Sequence, residues 1–217
     1  MAGGKLLSIS DCSHRMKRSC IRLFVSVLIF LSVLWASDQS SVEEYRIYSS
    51  VLEKLYVGQE TKLVVISDQT SVDMLRLDSW DFLNKSIQSR RKETGIWSTA
   101  ALAKMSPAAF EDFKARNTDT SNIQHASISL SVKNVTIDQA TLLTKNESEY
   151  WESFYRKFPD SPGLIYVSRV GFDRTAKQAL VYVGRTCGFL CGEGYLVLLE
   201  EEHGKWTIKG KYLCWVS

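Results

Sequence analysis

Cys187 and Cys191 lie four positions apart in R-T-C-G-F-L-C-G-E-G-Y, each followed by glycine, at the head of an apolar run. Three chemistries are open to such a pair. A disulfide needs the two Cα atoms within bridging distance, and Gly188 and Gly192 let the backbone turn tightly enough to bring them there. A redox pair asks for Cys-x-x-Cys at a helix N-terminus, where the dipole lowers the thiol pKa; here the spacing is one residue longer and the flanks are strand-like. A zinc site would take Cys187, Cys191 and Cys214 with His203 as fourth ligand, a set without standard ligand spacing. These residues favour the disulfide Cys187–Cys191, with Cys214 the alternative partner for either, and imply no metal and no cofactor.

Other reactive side chains carry less. His203 falls in the turn signal Glu202-His203-Gly204-Lys205, where Gly204 suits positive φ. His125 precedes a strand-like segment and has no partner nearby in sequence. Ser127, Ser129 and Ser131 alternate with Ile128, Leu130 and Val132, as on a half-buried strand with one polar face; no adjacent base or oxyanion hole would activate a hydroxyl. Glu200-Glu201-Glu202 reads as a soluble strand end, and Asn84, Asn134 and Asn146 each begin an N-x-S/T triplet. Walker A, G-x-G-x-x-G, H-E-x-x-H and G-x-S-x-G are absent, so no catalytic residue is assigned.

The elements that must hold these side chains are legible as patterns. Ser41 with Glu44 has capping-box spacing, and Tyr45, Tyr48, Val51, Leu52 and Leu55 give the following helix an apolar face that ends at Gly58. Leu63–Ser67 is β-branched and short, a strand. Trp80, Leu83 and Ile87 suit an amphipathic helix. Ser106 caps another helix with Pro107 in its first turn and Asn117 at its exit. Tyr150, Trp151, Phe154, Tyr155 and Phe158 cluster on a helix that must stop before Pro159, at a spacing that serves a core more often than a ligand platform. Strands follow at Leu164–Phe172, Gln178–Arg185, Tyr195–Glu201 and Trp206–Val216, the last with a break at Gly210. The order predicts an α+β fold: N-terminal helices packed on an antiparallel sheet that ends in a β-meander.

Charge is unevenly spread. Of the net +3, residues 1–36 hold a surplus of four, with five basic residues against Asp11 alone, which leaves the remainder at −1. That balance gives no general attraction for a phosphate backbone and excludes a nucleic-acid partner. Lys17, Arg18 and Arg22 precede an uncharged stretch of 14 residues, Leu23–Ala36, apolar but for Ser26 and Ser32, the order of a secretory signal. It is shorter than the ~20 residues that span a bilayer comfortably. Residues 1–36 thus read as an N-terminal extension with a signal peptide cleaved before Ser37, or a signal anchor formed by residues 20–36. The expected location is extracytoplasmic, periplasmic or secreted, where disulfides persist. Residues 37–217, from a chain with 45% hydrophobic and 24% charged residues, read as a single domain able to bury its own core.

Two blocks carry a resemblance. The early pair E-Y-R-I-Y-S-S-V-L-E-K-L-Y-V-G and L-V-V-I-S-D-Q-T, together with F-P-x-S-x-G, S-R-V-G-F, Q-A-L-V-Y, C-G-x-L-C-G-x-G and the closing W-V-S, resemble a group of exported bacterial proteins with no assigned activity. The matching stretches cover roughly half the chain, with little between Thr70 and Trp151. The resemblance implies a bacterial envelope or secreted protein and transfers no catalytic residue. The helix-then-sheet order is also similar to NTF2-like and cystatin-like folds, an analogy of fold alone. The expected function is a non-enzymatic binding or accessory module of the cell envelope, meeting the membrane through its N-terminal segment and a protein or small-molecule ligand elsewhere. The alternative is an extracytoplasmic enzyme, a hydrolase or thiol oxidoreductase, with a site assembled from distant residues.

Overall fold

The computed structural model describes residues 42–71, 85, 104–138 and 146–217. The leader, the Ser41 cap and the amphipathic segment around Trp80, Leu83 and Ile87 lie outside them. The chain divides into Met1–Glu43 and a compact unit, Glu44–Ser217. Among the described residues no helix is long and apolar enough to cross a membrane.

The compact unit is α+β. Residues 42–56 form helix α1. Then come β1 (Leu63–Ser67), α2 (Pro107–Arg116), a 3-10 turn at His125–Ser127, β2 (Lys133–Ile137) and α3 (Glu147–Lys157). The remainder is strand: β3 (Leu164–Val167), β4 (Gly171–Phe172), β5 (Gln178–Gly188), β6 (Cys191–Glu202) and β7 (Lys205–Val216). The seven strands make one sheet of order β2-β1-β3-β5-β6-β7, with β4 also paired to β5. From β3 onward the pairing is antiparallel, as expected, but β1 runs parallel to both β2 and β3, so the sheet is mixed. Parallel neighbours require crossover connections, and the chain between β1 and β2 contains α2 while that between β2 and β3 contains α3.

Both faces of the sheet are covered. On one, Ile47, Tyr48, Val51, Leu52 and Tyr56 of α1 pack on Val64, Ile66, Ile165, Val181, Val183, Val197 and Leu199. On the other, Phe110 and Phe113 of α2 meet Leu180, Tyr182, Leu196 and Leu198, while Phe154 and Phe158 of α3 meet Val65 and Leu164. This two-sided cover explains why β5 and β6 are apolar at consecutive positions rather than alternating.

Several boundaries differ from the sequence reading. The strand expected over Ile128–Val132 forms five residues later as β2. Ile128, Leu130 and Val132 still face the core, but α1 side chains take the intervening backbone: Ser129 N–H donates to Ser49 Oγ (2.9 Å) and Ser131 N–H to Glu53 Oε2 (3.0 Å). Leu164–Phe172 is split at 168–170. The expected break at Gly210 is a bulge instead, because Leu198 pairs with Gly210 and Leu199 with Ile208, leaving Lys209 as an extra residue; a second register shift leaves Cys214 extra. The β6–β7 turn has positive φ at His203 (53°) and Gly204 (80°), the mirror-image turn that suits the twist of a two-residue hairpin.

Ser106 makes no side-chain cap on α2; its N–H donates to Gln178 Oε1 (2.8 Å). Asn117 does close that helix, donating from Nδ2 to the Phe113 carbonyl (2.8 Å). Asn146, first residue of an N-x-S triplet, caps α3 by accepting from Glu149 N–H (3.0 Å).

Candidate functional site

β5 and β6 extend beyond the expected strands until only Phe189 and Leu190 separate them, with Gly188 paired to Cys191 and a register shift at Cys187. Cys187 and Cys191 are disulfide-bonded across this two-residue turn, with Cα atoms 5.0 Å apart. Cys214 is not their partner. It remains a thiol on β7, packed beside the Phe110–Leu180 cluster.

The zinc reading fails on distance. His203 sits beyond the far end of β6, 12 residues long, and a strand rising ~3.3 Å per residue puts it about 35 Å or more from Cys191. The redox reading lacks its helix, since both cysteines belong to strands. Among the described residues no group of three or more His, Cys, Asp or Glu side chains is placed to hold a metal ion.

The bond leaves the turn's own side chains in water. Phe189 is 71% and Leu190 76% exposed, and Val216, on the adjoining end of β7, is 71% exposed. Behind them lies a tightly supported base. Tyr155 on α3 donates its hydroxyl to the Cys187 carbonyl (3.0 Å). Gly192 and Gly194 present bare backbone on which the Trp215 indole lies; a Cβ at either would overlap that ring. Trp215 Nε1–H then donates to the Tyr182 hydroxyl (2.7 Å), and Ser217 exchanges backbone hydrogen bonds with Gly192. The C-G-x-L-C-G-x-G and W-V-S motifs are therefore two halves of one arrangement: a pinned hairpin tip and its buttress.

On the α1 face of the same hairpin a polar set crosses the strands. Arg185 Nη2 pairs with Glu193 Oε1 (3.3 Å), the Tyr195 hydroxyl donates to Glu193 Oε2 (2.5 Å), and the Lys211 ammonium lies over the Tyr195 ring (3.8 Å). Burial, the hydrogen bond to Glu193 and that carboxylate's charge push the Tyr195 hydroxyl up to about 12. Tyr56 packs its ring against the Arg185 guanidinium, but its buried hydroxyl makes no hydrogen bond, nor does Arg185 Nε. The set holds no nucleophile beside a base.

The S-R-V-G-F motif has a different task. Ser168 is wholly buried and accepts from Tyr182 N–H through its hydroxyl (2.9 Å). Arg169 N–H donates to Asn117 Oδ1 (2.8 Å), Val170 N–H to Glu44 Oε1 (2.7 Å) and Phe172 N–H to Asp112 Oδ2 (2.8 Å). The Tyr48 hydroxyl lies 3.0 Å from Glu44 Oε1 and 2.9 Å from the Ser168 carbonyl. Gly171 is in such close contact with Phe113 that a Cβ would overlap the helix backbone. On the edge turned away from β5, side chains of α1 and of α2 and its cap thus take the backbone donors that no strand meets. Glu44, which accepts from Val170 N–H and faces the Tyr48 hydroxyl, has only capping-box spacing in the sequence; its clamp joins positions too far apart in the chain to be seen there.

The remaining candidates are structural or exposed. Ser131 bonds Glu53 through both N–H and hydroxyl. His125 opens a 3-10 turn, 3.4 Å from Thr136 Oγ1. Glu200 accepts from Gln178, Glu201 from Lys177 and Gly204 N–H, and Glu202 from Lys209, so the three carboxylates diverge. In the aromatic cluster Phe154 and Phe158 are core, whereas Trp151 and Tyr155 are half-buried at its edge. An open groove of about 700 Å³ runs along α2 past Phe172 and Arg174, bordered by the Asp112–Arg116 ion pair.

No protein-family model matches this chain, and no curated protein and no solved structure is significantly similar to it.

Proposed function

We propose that this protein is an exported binding or accessory module of the cell envelope, and that the disulfide-pinned tip at Phe189–Leu190 is its contact element. The observation that carries the reading is the exposure of two adjacent large apolar side chains on a turn that a covalent bond and a tryptophan buttress hold in place. Immobilising such a turn before contact removes an ordering penalty that a flexible loop would meet on binding. Exposed apolar groups of this kind mark interaction sites more than they serve a fold. Export is supported by the basic-then-apolar order of residues 17–36 and by the compartment in which a disulfide persists. Among the described residues, Glu44, Asp112, Glu193 and the Ser168 and Tyr48 hydroxyls serve the clamp and cross-strand pairs.

Two measurements test the proposal. N-terminal sequencing of the envelope fraction is expected to read Ser37 or a near neighbour, or to find the intact chain held there by residues 20–36; recovery of the intact chain from the cytosol overturns export. For the contact, a photoreactive benzoylphenylalanine at Leu190, in the full chain inside cells, is expected to form a covalent adduct on irradiation. A chain that forms none overturns the assignment of the tip.

A further inference from the structure

The register places one end of β2, β1, β3, β5, β6 and β7 in a row, with β4 paired at the other end of β5. Lys133 opposes Leu63, Val65 opposes Leu164, Leu164 opposes Thr186, Thr186 opposes Gly192 and Glu193 opposes Val216. The last turn of α3 reaches the same end, where Tyr155 bonds Cys187. This end therefore collects the exposed Phe189, Leu190 and Val216 at its outermost point. Half-buried Tyr155 and Trp215 stand immediately behind, each with its polar atom hydrogen-bonded inward.

The charges there are lopsided. Lys62 and Lys133 at the strand starts, Arg156 and Lys157 on α3, and Arg185 on β5 give five cations, against Glu60, Asp160 and Glu193. Asp160 is taken by Lys62 (3.6 Å) and Glu193 by Arg185 (3.3 Å), so Lys133, Arg156 and Lys157, all exposed, remain against exposed Glu60 alone and set the sign seen from outside.

Resting on the binding-module reading above, we infer that this end of the sheet docks on an anionic lipid surface, with Phe189, Leu190 and Val216 entering the interfacial layer and the flanking lysines and arginine meeting headgroup phosphates. The shape favours lipid over a folded protein partner. A stable protein interface covers roughly 800 Å² on each side, whereas a two-residue turn on a narrow hairpin is convex and is flanked by charge. A small apolar projection flanked by cations on its β1, β2 and α3 side, with the Tyr155 and Trp215 rings behind it, is an arrangement an anionic bilayer surface accepts.

The test separates docking at this end from the general attraction of residues 23–36 for lipid. Full-length protein is prepared with benzoylphenylalanine at Phe189, and separately at Thr175 in the β4–β5 turn at the other end of β5. Each is irradiated with phosphatidylcholine vesicles containing phosphatidylglycerol and digested for mass spectrometry. Phospholipid adducts are expected about tenfold more often at position 189 than at 175, and to fall severalfold on vesicles of phosphatidylcholine alone or in the Lys133→Gln/Lys157→Gln variant. Both labelled positions are exposed turn residues, and a thermal melt of each variant confirms the fold. Equal or greater labelling at 175, or labelling at 189 indifferent to phosphatidylglycerol, overturns lipid docking. If position 190 labels a protein in cells while position 189 labels no lipid on vesicles, lipid docking falls and the binding-module reading stands. If neither position labels anything, both fall.

Discussion

β5 borders two regions built on opposite principles. Along its first half, the S-R-V-G-F segment is buried and clamped from both sides of the sheet, by Glu44 and Tyr48 of α1 and by Asp112 and Asn117 at α2. At its far end the chain turns in two residues, leaves Phe189 and Leu190 in water and relies on a covalent bond. The clamp spends polar side chains to satisfy backbone donors that have no strand partner. The tip needs no such donors, because its strands pair almost to the turn. The clamp therefore bears on stability, while the tip can change its side chains with little effect on the fold.

Substitutions at the two ends should separate accordingly. Glu44→Ala leaves the Val170 N–H and the Arg169 guanidinium, whose Nη2 lies 3.3 Å from Glu44 Oε2, without their carboxylate, and we expect a loss of about 3 kcal/mol or more in urea unfolding. Gly171→Ala forces a methyl group into the backbone of α2 and is expected to cost up to about 3 kcal/mol; a melting temperature equal to that of the wild type would refute the close approach. At the other end, Cys187→Ser with Cys191→Ser opens a very small loop, for which the chain-entropy relation gives about 2 kcal/mol. The same variant, or treatment with reductant, should leave the clamp intact, visible as amide-exchange protection at Val170 that falls no further than the global loss of stability.

A smaller effect of opposite sign is expected at Tyr56, whose buried hydroxyl makes no hydrogen bond. Tyr56→Phe removes that orphan and is expected to stabilise the protein by up to about 1 kcal/mol. Burial, aided by the Glu193 charge, holds the Tyr56 hydroxyl above its ordinary value. A phenol so raised contributes stability that is complete below its unfolded pKa of about 10 and is lost as pH rises toward the folded value. The Phe variant should therefore lose less stability above pH 10, measured as unfolding midpoint against pH. Phe189→Ser with Leu190→Ser should move stability least, by under about 0.5 kcal/mol, while lowering the phosphatidylglycerol-dependent part of vesicle association.

Local patterns located the local elements. Leu63–Ser67 reads as a strand from its β-branched run, α2 from Pro107 and Asn117, and the His203–Gly204 turn from its residue types. Asn146 could have been read as a cap, since Glu149 follows it at the reciprocal spacing. What escaped was set by contacts distant in sequence. The apparent strand Leu164–Phe172 is interrupted because Asn117, about 50 residues earlier, and Glu44, about 125 earlier, take its backbone donors. The parallel pairing of β1 leaves no trace in Leu63–Ser67 itself. At the tip, cysteine spacing and flanking glycines pointed to the bond, yet nothing local announced that Gly192 and Gly194 serve the indole of Trp215.

The two irregularities in β7 bear on how the protein behaves when concentrated. β7 closes one side of the strand order and is 12 residues long, a length that would make a straight strand a template for sheet growth between molecules. Lys209 and Cys214 each interrupt its register with β6, and such bulges twist a strand so that a second chain cannot stay in step along it. Lys205, Lys209 and Lys211 add like charge for any identical neighbour to meet. At the opposite border, β2 offers only five residues. The sheet thus discourages its own polymerisation, which matters most for a chain held at high local density.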